Sequence, residues 1–230
     1  IGLMFYPAMR NMGTSGMGFV LALTVGLLAF LLVDMTFEAL ELAAESAPLF
    51  QGPAMVILAS LATFLILMGI SRRGGRPEGL ALAFYIAFGI GLHNFGEGLA
   101  IGAAFAAGSA GLGTFLVLGF AIHNVTEGIG IAAPIVRQKP PLWAFVALTL
   151  IAGAPAVFGM WIGSLAYGTQ WSALALGVGA GAILQVIVEV TAFFLRGSGR
   201  QGQYWLSPPV LSGFLTGLAF MYVTAAVIKV

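Results

Sequence analysis

Seven long apolar stretches dominate this 230-residue chain and leave it few ways to fold. Each is long enough to form a helix across the hydrocarbon core of a bilayer, which takes about 20 residues. They cover residues 17–41, 53–71, 79–107, 111–136, 142–167, 172–195 and 208–228. The stretches are too long for strands and lack the alternating pattern of a membrane barrel. The sequence therefore predicts an all-α, polytopic membrane helix bundle. Short connections predict a single transmembrane domain over 1–230.

Composition supports the same class. Hydrophobic residues make up 60% of the chain and charged residues only 7%, whereas soluble domains carry roughly 25% charged residues. That is too few charges to cover a soluble globule, and no basic surface suggests a nucleic-acid partner. The chain has no cysteine, which excludes disulfides and thiolate metal sites.

The basic residues predict an orientation. If the seven spans alternate in direction, eight of the nine Lys and Arg residues fall at one end of the bundle, and only Lys229 lies opposite. Because basic loops are retained in the cytoplasm, we expect that end to be cytoplasmic and the C-terminus outside. The expected location is the plasma or inner membrane. The eight residues are Arg10, Arg72, Arg73, Arg76, Arg137, Lys139, Arg196 and Arg200.

The first nine residues, Ile1 to Met9, are apolar but too short to cross a bilayer. They fit either the inner end of a further helix whose start lies upstream or an ordered juxtamembrane tail, and both interpretations stay open. In either case the segment would lie at the basic end of the bundle, beside Arg10.

A polar motif occurs twice in the middle of adjacent spans. His93-Asn94-Phe95-Gly96-Glu97-Gly98 is followed thirty residues later by His123-Asn124-Val125-Thr126-Glu127-Gly128, and these histidines are the only two in the chain. In a helix, a residue four places on lies about 6 Å along the axis and about 40° around it. Each His and Glu therefore share one helical face. Two glutamates at mid-span oppose membrane insertion by roughly 5–7 kcal/mol, so they need compensation.

A divalent cation is the most direct compensation. It supplies positive charge and accepts carboxylate and imidazole lone pairs; protonated glutamates or a purely hydrogen-bonded packing role are the alternatives. The short link around Gly108 to Gly113 makes the two spans antiparallel neighbours, so the motifs should meet. An N/O ligand set suits Zn²⁺, Fe²⁺, Mn²⁺, Co²⁺ or Cd²⁺ better than Cu⁺. The candidate ligands are His93, Asn94, Glu97, His123, Asn124 and Glu127.

Three further acidic residues lie within or near the ends of the apolar spans. Asp34 and Glu38 share a helical face at i, i+4, and Glu189 lies in the sixth span. They are candidates for an ion pathway, but solvation at a helix end explains them equally well. Pro134 and Pro155 are expected to end or kink their helices.

The repeated His-Asn-x-x-Glu-Gly pattern resembles the ZIP (zinc/iron-regulated transporter-like) family of divalent metal transporters, in its bacterial and archaeal branch. Three other stretches are similar to the second, seventh and eighth helices of that family: Phe37–Glu41, Gly181–Glu189 and Gly213–Ala219. The resemblance covers nearly all of residues 17–228. It implies eight helices with both ends outside, so the family's first helix would be mostly missing or truncated here.

The resemblance also implies roles for the motif residues. His93, Glu97, His123 and Glu127 would form the central transport site, with Asn94 and Asn124 contributing to an adjacent second metal position.

Three departures from the family pattern matter. The usual proline before each motif glutamate is Gly96 or Thr126 here, and the sixth-helix glutamate that binds the second metal is replaced by Ala156. The sequence therefore favours a single-metal site or a weakened second one.

The function implied is passage of a divalent metal, Zn²⁺ first among the candidates, from outside into the cytoplasm, and not an enzymatic reaction. The expected partners are the metal ion and the lipid bilayer, with a homodimer left open. Binding must stay moderate for the ion to leave. Because the ligands must be deprotonated to bind metal, acid should weaken uptake around pH ~6–7.

Three other functions fit the motif less well than metal transport does. A haem-binding electron-transfer subunit could use His93 and His123 as axial ligands, but the two glutamates would then have no role. An intramembrane metallohydrolase would need an arrangement such as His-Glu-x-x-His, which this chain lacks. A proton relay through His and Glu is chemically feasible.

Overall fold

A computed structural model of the chain describes residues 2–45, 51–165, 168–197 and 206–228. Within these ranges all regular secondary structure is helical. Seven of the described helices are long and apolar enough to cross a membrane. The prediction of an all-α, polytopic membrane bundle is confirmed.

The helices follow the predicted spans closely. A 3₁₀ turn at Gly2–Phe5 leads into α1 (Tyr6–Met9), and the spans are α2 (Thr14–Ala44), α3 (Gly52–Arg72), α4 (Gly79–Ala106), α5 (Ala110–Ala132), α6 (Leu142–Leu165), α7 (Thr169–Gly197) and α8 (Pro208–Ile228). The largest differences are at α5, which ends four residues before the predicted span does, and at α2, which extends by three residues at each end. Its last turns carry Glu38 and Glu41 within the helix. Residues 46–50, 166–167 and 198–205 lie outside the described residues, and they include parts of two predicted connections and the end of the predicted span 142–167.

The two prolines behave differently. Pro134 ends α5, because the chain continues as a 3₁₀ turn over Ala133–Ile135. Pro155 lies inside α6 and does not end it. Proline has no N–H to donate to the Ile151 carbonyl one turn earlier. That carbonyl instead faces Gly91 of α4, so close that a β-carbon at Gly91 would overlap it. The neighbouring backbone therefore covers the group that Pro155 leaves without a donor.

Helix α4 lies at the centre of the bundle. It packs most extensively against α6 and next against α7, and it also contacts α5. A second group forms around α2, which packs against α8 and α7, while α3 packs against α7. The N-terminal turn Gly2–Phe5 packs against α5. The fully buried side chains of α4 include Leu82, Ile86 and Ile90. They lie in the part of the helix before the motif and anchor that part in the bundle.

Small residues let α4 and α6 approach until their backbones touch. A β-carbon at Gly98 would overlap the Ala156 carbonyl oxygen, and one at Gly159 would overlap the Phe95 carbonyl oxygen. A third contact of this kind joins Gly163 to the Leu99 carbonyl. Such close helix pairs gain van der Waals contact without relying on a hydrophobic driving force, which is weak between helices in lipid. All three contacts lie within the first motif or directly after it, and they hold the motif at a fixed depth.

The basic end of the bundle is held by several polar contacts. The Tyr6 hydroxyl donates to the Gln138 carbonyl, and the Gln138 side chain lies directly against Gly79. Arg196 and Glu78 form an ion pair at 3.9 Å. These contacts bring the N-terminal segment, the start of α4, the link before α6 and the end of α7 to one end of the bundle.

We expect Gly159→Ala to destabilise the bundle by about 1–3 kcal/mol, because the added methyl group must separate two touching backbones. Gly69→Ala on α3 is the matched control, since a β-carbon there meets no atom within 4 Å. Unfolding in mixed detergent micelles measures both variants. Equal stability of the two would contradict the backbone contact.

Candidate metal centre

The two copies of the motif come together between α4 and α5. His123 Nε2 lies 3.1 Å from Glu97 Oε2, and His93 Nε2 lies 3.5 Å from Glu127 Oε1. Within α4, His93 Nε2 is 3.4 Å from Glu97 Oε2. Because the helices are antiparallel, each histidine faces the glutamate of the other copy. The two motifs therefore meet at one depth, as predicted.

Three of these residues form a compact group of candidate ligands. One ligand atom from each of His93, His123 and Glu127 lies within 4.8 Å of the other two, and all three residues are buried. Nitrogen and oxygen ligands bind Zn²⁺ at ~2.0–2.2 Å, so only small side-chain shifts separate this arrangement from a coordination sphere. Glu97 contacts both imidazoles and would be the fourth ligand.

Buried polar atoms without a hydrogen-bond partner are concentrated here. Among the described residues there are ten, and six belong to the motif. The six are both ring nitrogens of His93, Nδ1 of His123, both carboxylate oxygens of Glu127 and Oδ1 of Asn94. Each such atom costs on the order of 1–3 kcal/mol. The contact of His93 with Glu127 is too long to be a hydrogen bond. The group is therefore chemically suited to hold a cation.

The two asparagines are linked to each other rather than aimed at the histidines. Asn94 Nδ2 donates to Asn124 Oδ1 at 3.0 Å and to the Ala152 carbonyl of α6 at 2.9 Å. Asn124 Nδ2 donates to the Phe120 carbonyl at 2.9 Å. Asn94 is fully buried. These bonds tie α4, α5 and α6 together beside the His and Glu group.

Ala156 lies beside this network on α6. It is buried, and its carbonyl oxygen contacts Gly98, the residue after Glu97. A methyl side chain offers no ligand atom, so α6 contributes no carboxylate at this position. Both helices run without interruption through the other two departures, Gly96 and Thr126. The Thr126 hydroxyl donates to the His123 carbonyl at 2.7 Å.

A cavity of about 540 Å³ opens onto the group from the end of the bundle opposite the basic residues. His93, Glu97 and His123 form part of its wall, and apolar side chains of α2, α5 and α8 form much of the rest. Its acidic residues on α2 are Asp34, Glu38 and Glu41. Glu97 is 18% exposed, whereas Glu127 is 2% exposed. Access to the histidines therefore comes from this side.

Asp34 and Glu38 are thus placed on the same cavity as the motif, as pathway residues would be. Glu41, which was not among the predicted pathway residues, lines the same cavity. Its spacing of three residues from Glu38 and seven from Asp34 puts all three carboxylates on one face of α2. That spacing was available in the sequence.

Phe120 lies between the 540 Å³ cavity and a smaller one. It lines both, and the second cavity, of about 290 Å³, is lined by Asn124 and Glu127 together with mainly apolar side chains. The Phe120 ring also meets the His123 ring edge-on at 5.7 Å between centroids. The Phe120 side chain thus lies between the 540 Å³ cavity and Glu127.

Glu189 lies apart from this group. It is fully buried on α7, where its carboxylate pairs with Arg72 at 3.1 Å and accepts a hydrogen bond from Ser71 at 3.0 Å. Both partners belong to the last turn of α3, at the basic end of the bundle. The structure therefore does not bring Glu189 to the His and Glu group.

No family model matches the chain, and no curated protein matches it in sequence. Function is therefore inferred from the site itself. The chain is a helical membrane protein with a buried His-His-Glu group that could hold a metal ion.

We expect Asn94→Ala to destabilise the protein by about 1–2 kcal/mol, because it removes the donor for Asn124 and for the Ala152 carbonyl at once. Asn11→Ala, at an exposed position, is the control. Detergent unfolding measures the difference. A stability equal to that of the control, together with lost metal binding, would show that Asn94 acts as a ligand and not as a link between helices.

Proposed function

We propose that this protein transports a divalent transition-metal cation across a membrane, with Zn²⁺ as the first candidate cargo. The observation that carries the proposal is the buried group of His93, His123 and Glu127, whose ligand atoms lie close together while most of them lack hydrogen-bond partners. Glu97, which is 18% exposed, contacts both imidazoles. The resemblance of the repeated motif to the ZIP transporters supports the same function. Passage would run from the acidic cavity toward the basic end of the bundle.

The ligand set favours a cargo over a permanent structural ion. Two imidazoles and two carboxylates give moderate affinity for several divalent ions, and they lie beside a cavity rather than in a closed shell. A transport site needs affinity that is sufficient for entry but weak enough for release. The acidic residues on α2 would raise the local concentration of cations in the cavity.

Transfer would proceed by exchange of water for protein ligands. A hydrated ion that reaches the cavity first meets Glu97 and His123, because Glu97 is the most exposed of the four. His93 and the more deeply buried Glu127 then complete the coordination sphere. Positive charge from the ion offsets the two carboxylates at the depth where neither Arg nor Lys is present.

The asparagine network supports one ion rather than two. Asn124 Oδ1 already accepts a bond from Asn94, and Ala156 supplies no carboxylate. Of the amide oxygens, Asn94 Oδ1 is the one that remains buried without a partner. We infer a single transported ion at the His and Glu group.

The haem alternative has less support from the geometry. A macrocycle ligated by both histidines would have to pass between their Nε2 atoms, where Glu97 Oε2 lies 3.1 and 3.4 Å from them. A Soret band in the purified protein would favour haem over metal transport.

We expect His93→Ala and Glu127→Ala to lower Zn²⁺ affinity by more than about 100-fold. Each removes a direct ligand, and even the loss of an outer-shell partner costs about 10–100-fold. Binding is measured by titration calorimetry on the purified protein. Glu45→Ala removes an exposed carboxylate at the same end of α2 and should leave affinity unchanged.

Transport itself is tested with the protein in sealed vesicles loaded with a metal-sensitive dye. We expect Zn²⁺ to enter, His93→Ala and Glu127→Ala to abolish entry, and both variants to insert in the membrane normally. Competition with Fe²⁺, Mn²⁺ and Cd²⁺ ranks the cargoes. Zn²⁺ entry that is unchanged in both variants would refute the site.

A further inference from the structure

A buried ion pair joins α7 to the end of α3 at the basic end of the bundle. Glu189 is 0% exposed, and its Oε1 is shared by Arg72 Nη2 at 3.1 Å and the Ser71 hydroxyl at 3.0 Å. Arg72 is 29% exposed, so its side chain reaches inward from the surface at the end of α3. The other carboxylate oxygen of Glu189 is buried with no hydrogen-bond partner.

A second polar side chain lies one turn away on the same face of α7. Gln185 is 1% exposed, and its Oε1 has no hydrogen-bond partner. This oxygen lies against Gly89 of α4, since a β-carbon at Gly89 would be 2.7 Å from it. Burying an amide oxygen and a carboxylate oxygen without partners is unfavourable, and packing alone does not explain it.

These groups lie in order between the motif and the basic end. Gly179 of α7 packs against the His93 backbone, and Gly89 is one turn below His93 on α4. Moving along α7 in the same direction gives Gln185 and then Glu189. Two buried oxygen-bearing side chains, Gln185 and Glu189, thus lie in order between the depth of the central site and Arg72. Glu189 is one of the predicted pathway residues and Gln185 is not, although their i, i+4 spacing puts both on one face of α7.

We propose that Arg72 is a tethered cation that closes the exit of this route, and that cargo leaves only when Arg72 releases Glu189. This inference rests on the proposed function for the identity of the cargo, but the closure concerns the protein alone. Arg72 is a positioning residue, because it acts through Glu189. Its guanidinium neutralises a carboxylate that would otherwise be an uncompensated buried charge.

The same pair explains how an ion could open the exit. A divalent cation that moves from the His and Glu group toward Gln185 supplies more positive charge to Glu189 than the guanidinium does. Arg72 then turns outward to solvent, where its charge is well hydrated. Because the side chain stays attached to α3, it returns to Glu189 once the ion has left.

The chain has no cysteine, so one introduced thiol reports on the exit without background. Val186→Cys is suited to this, because Val186 is 1% exposed and packs against Gly89 at the depth of Gln185. The full-length protein is placed in right-side-out and inside-out vesicles. A membrane-impermeant thiol reagent is added from each face, and the labelling rate is measured.

We expect Arg72→Gln to raise the labelling rate of Val186→Cys about tenfold or more from the basic face, because breaking a buried pair is strongly destabilising to the closed state. Labelling from the acidic face should not change. Arg73→Gln is the matched control, as it removes the same charge from an exposed neighbouring residue. Arg72→Lys keeps the positive charge and should restore slow labelling at least in part.

The double variant Arg72→Gln with Glu189→Gln covers the case in which the single variant fails to fold, since it leaves no buried charge. It should show the same increase in labelling. Labelling within twofold of the Arg73→Gln control in folded Arg72→Gln and in the double variant would overturn the proposal, as would an equal increase from both faces. The proposed function is tested separately by measuring Zn²⁺ binding to the Val186→Cys protein with Arg72 intact. The two tests can fail independently, because the labelling assay needs no metal.

Discussion

The rest of the structure depends on four polar side chains that are held in the middle of an apolar bundle. Two carboxylates at this depth need compensating partners, and the nearest groups are the imidazoles of the facing helix. This requires α4 and α5 to meet at one particular register. The Asn94 and Asn124 link and the bond to the Ala152 carbonyl fix that register.

The backbone contacts of α4 serve the same requirement. Side chains between α4 and α6 would keep the helices apart and leave Asn94 out of reach of Ala152. Glycine on both helices removes that spacing, as at Gly98 and Gly159. Pro155 fits the same interface, because the carbonyl that it leaves without a donor is covered by Gly91. The polar centre thus depends on an interface with very few side-chain atoms.

The sequence predicted the spans and the meeting of the motifs for clear physical reasons. Length and lack of charge decide a membrane helix, and equal spacing with a short link decides which two helices meet. It could not predict that the asparagines bond to each other, because that depends on how α4 and α5 are rotated about their axes. It also could not predict that Pro155 leaves α6 intact, because that depends on the close contact with Gly91 of α4. The partner of Glu189 was equally hidden, since Arg72 counted as a basic loop residue until the end of α3 was seen against α7. Glu41 and Gln185 lie at helical spacing from Glu38 and Glu189, so the sequence alone could have identified both as residues on the same helical faces.

The bond between Asn94 and Asn124 has a consequence for how the chain enters the membrane. Helices α4 and α5 have the lowest mean hydropathy of the seven described spans. Each alone would therefore insert poorly into the bilayer. They are consecutive and joined by a short link, and each supplies the polar partners that the other lacks. Leaving the insertion machinery as a hairpin would let these groups pair before either helix meets lipid. The contacts that shape the mature site thereby also make its two most polar helices easier to assemble.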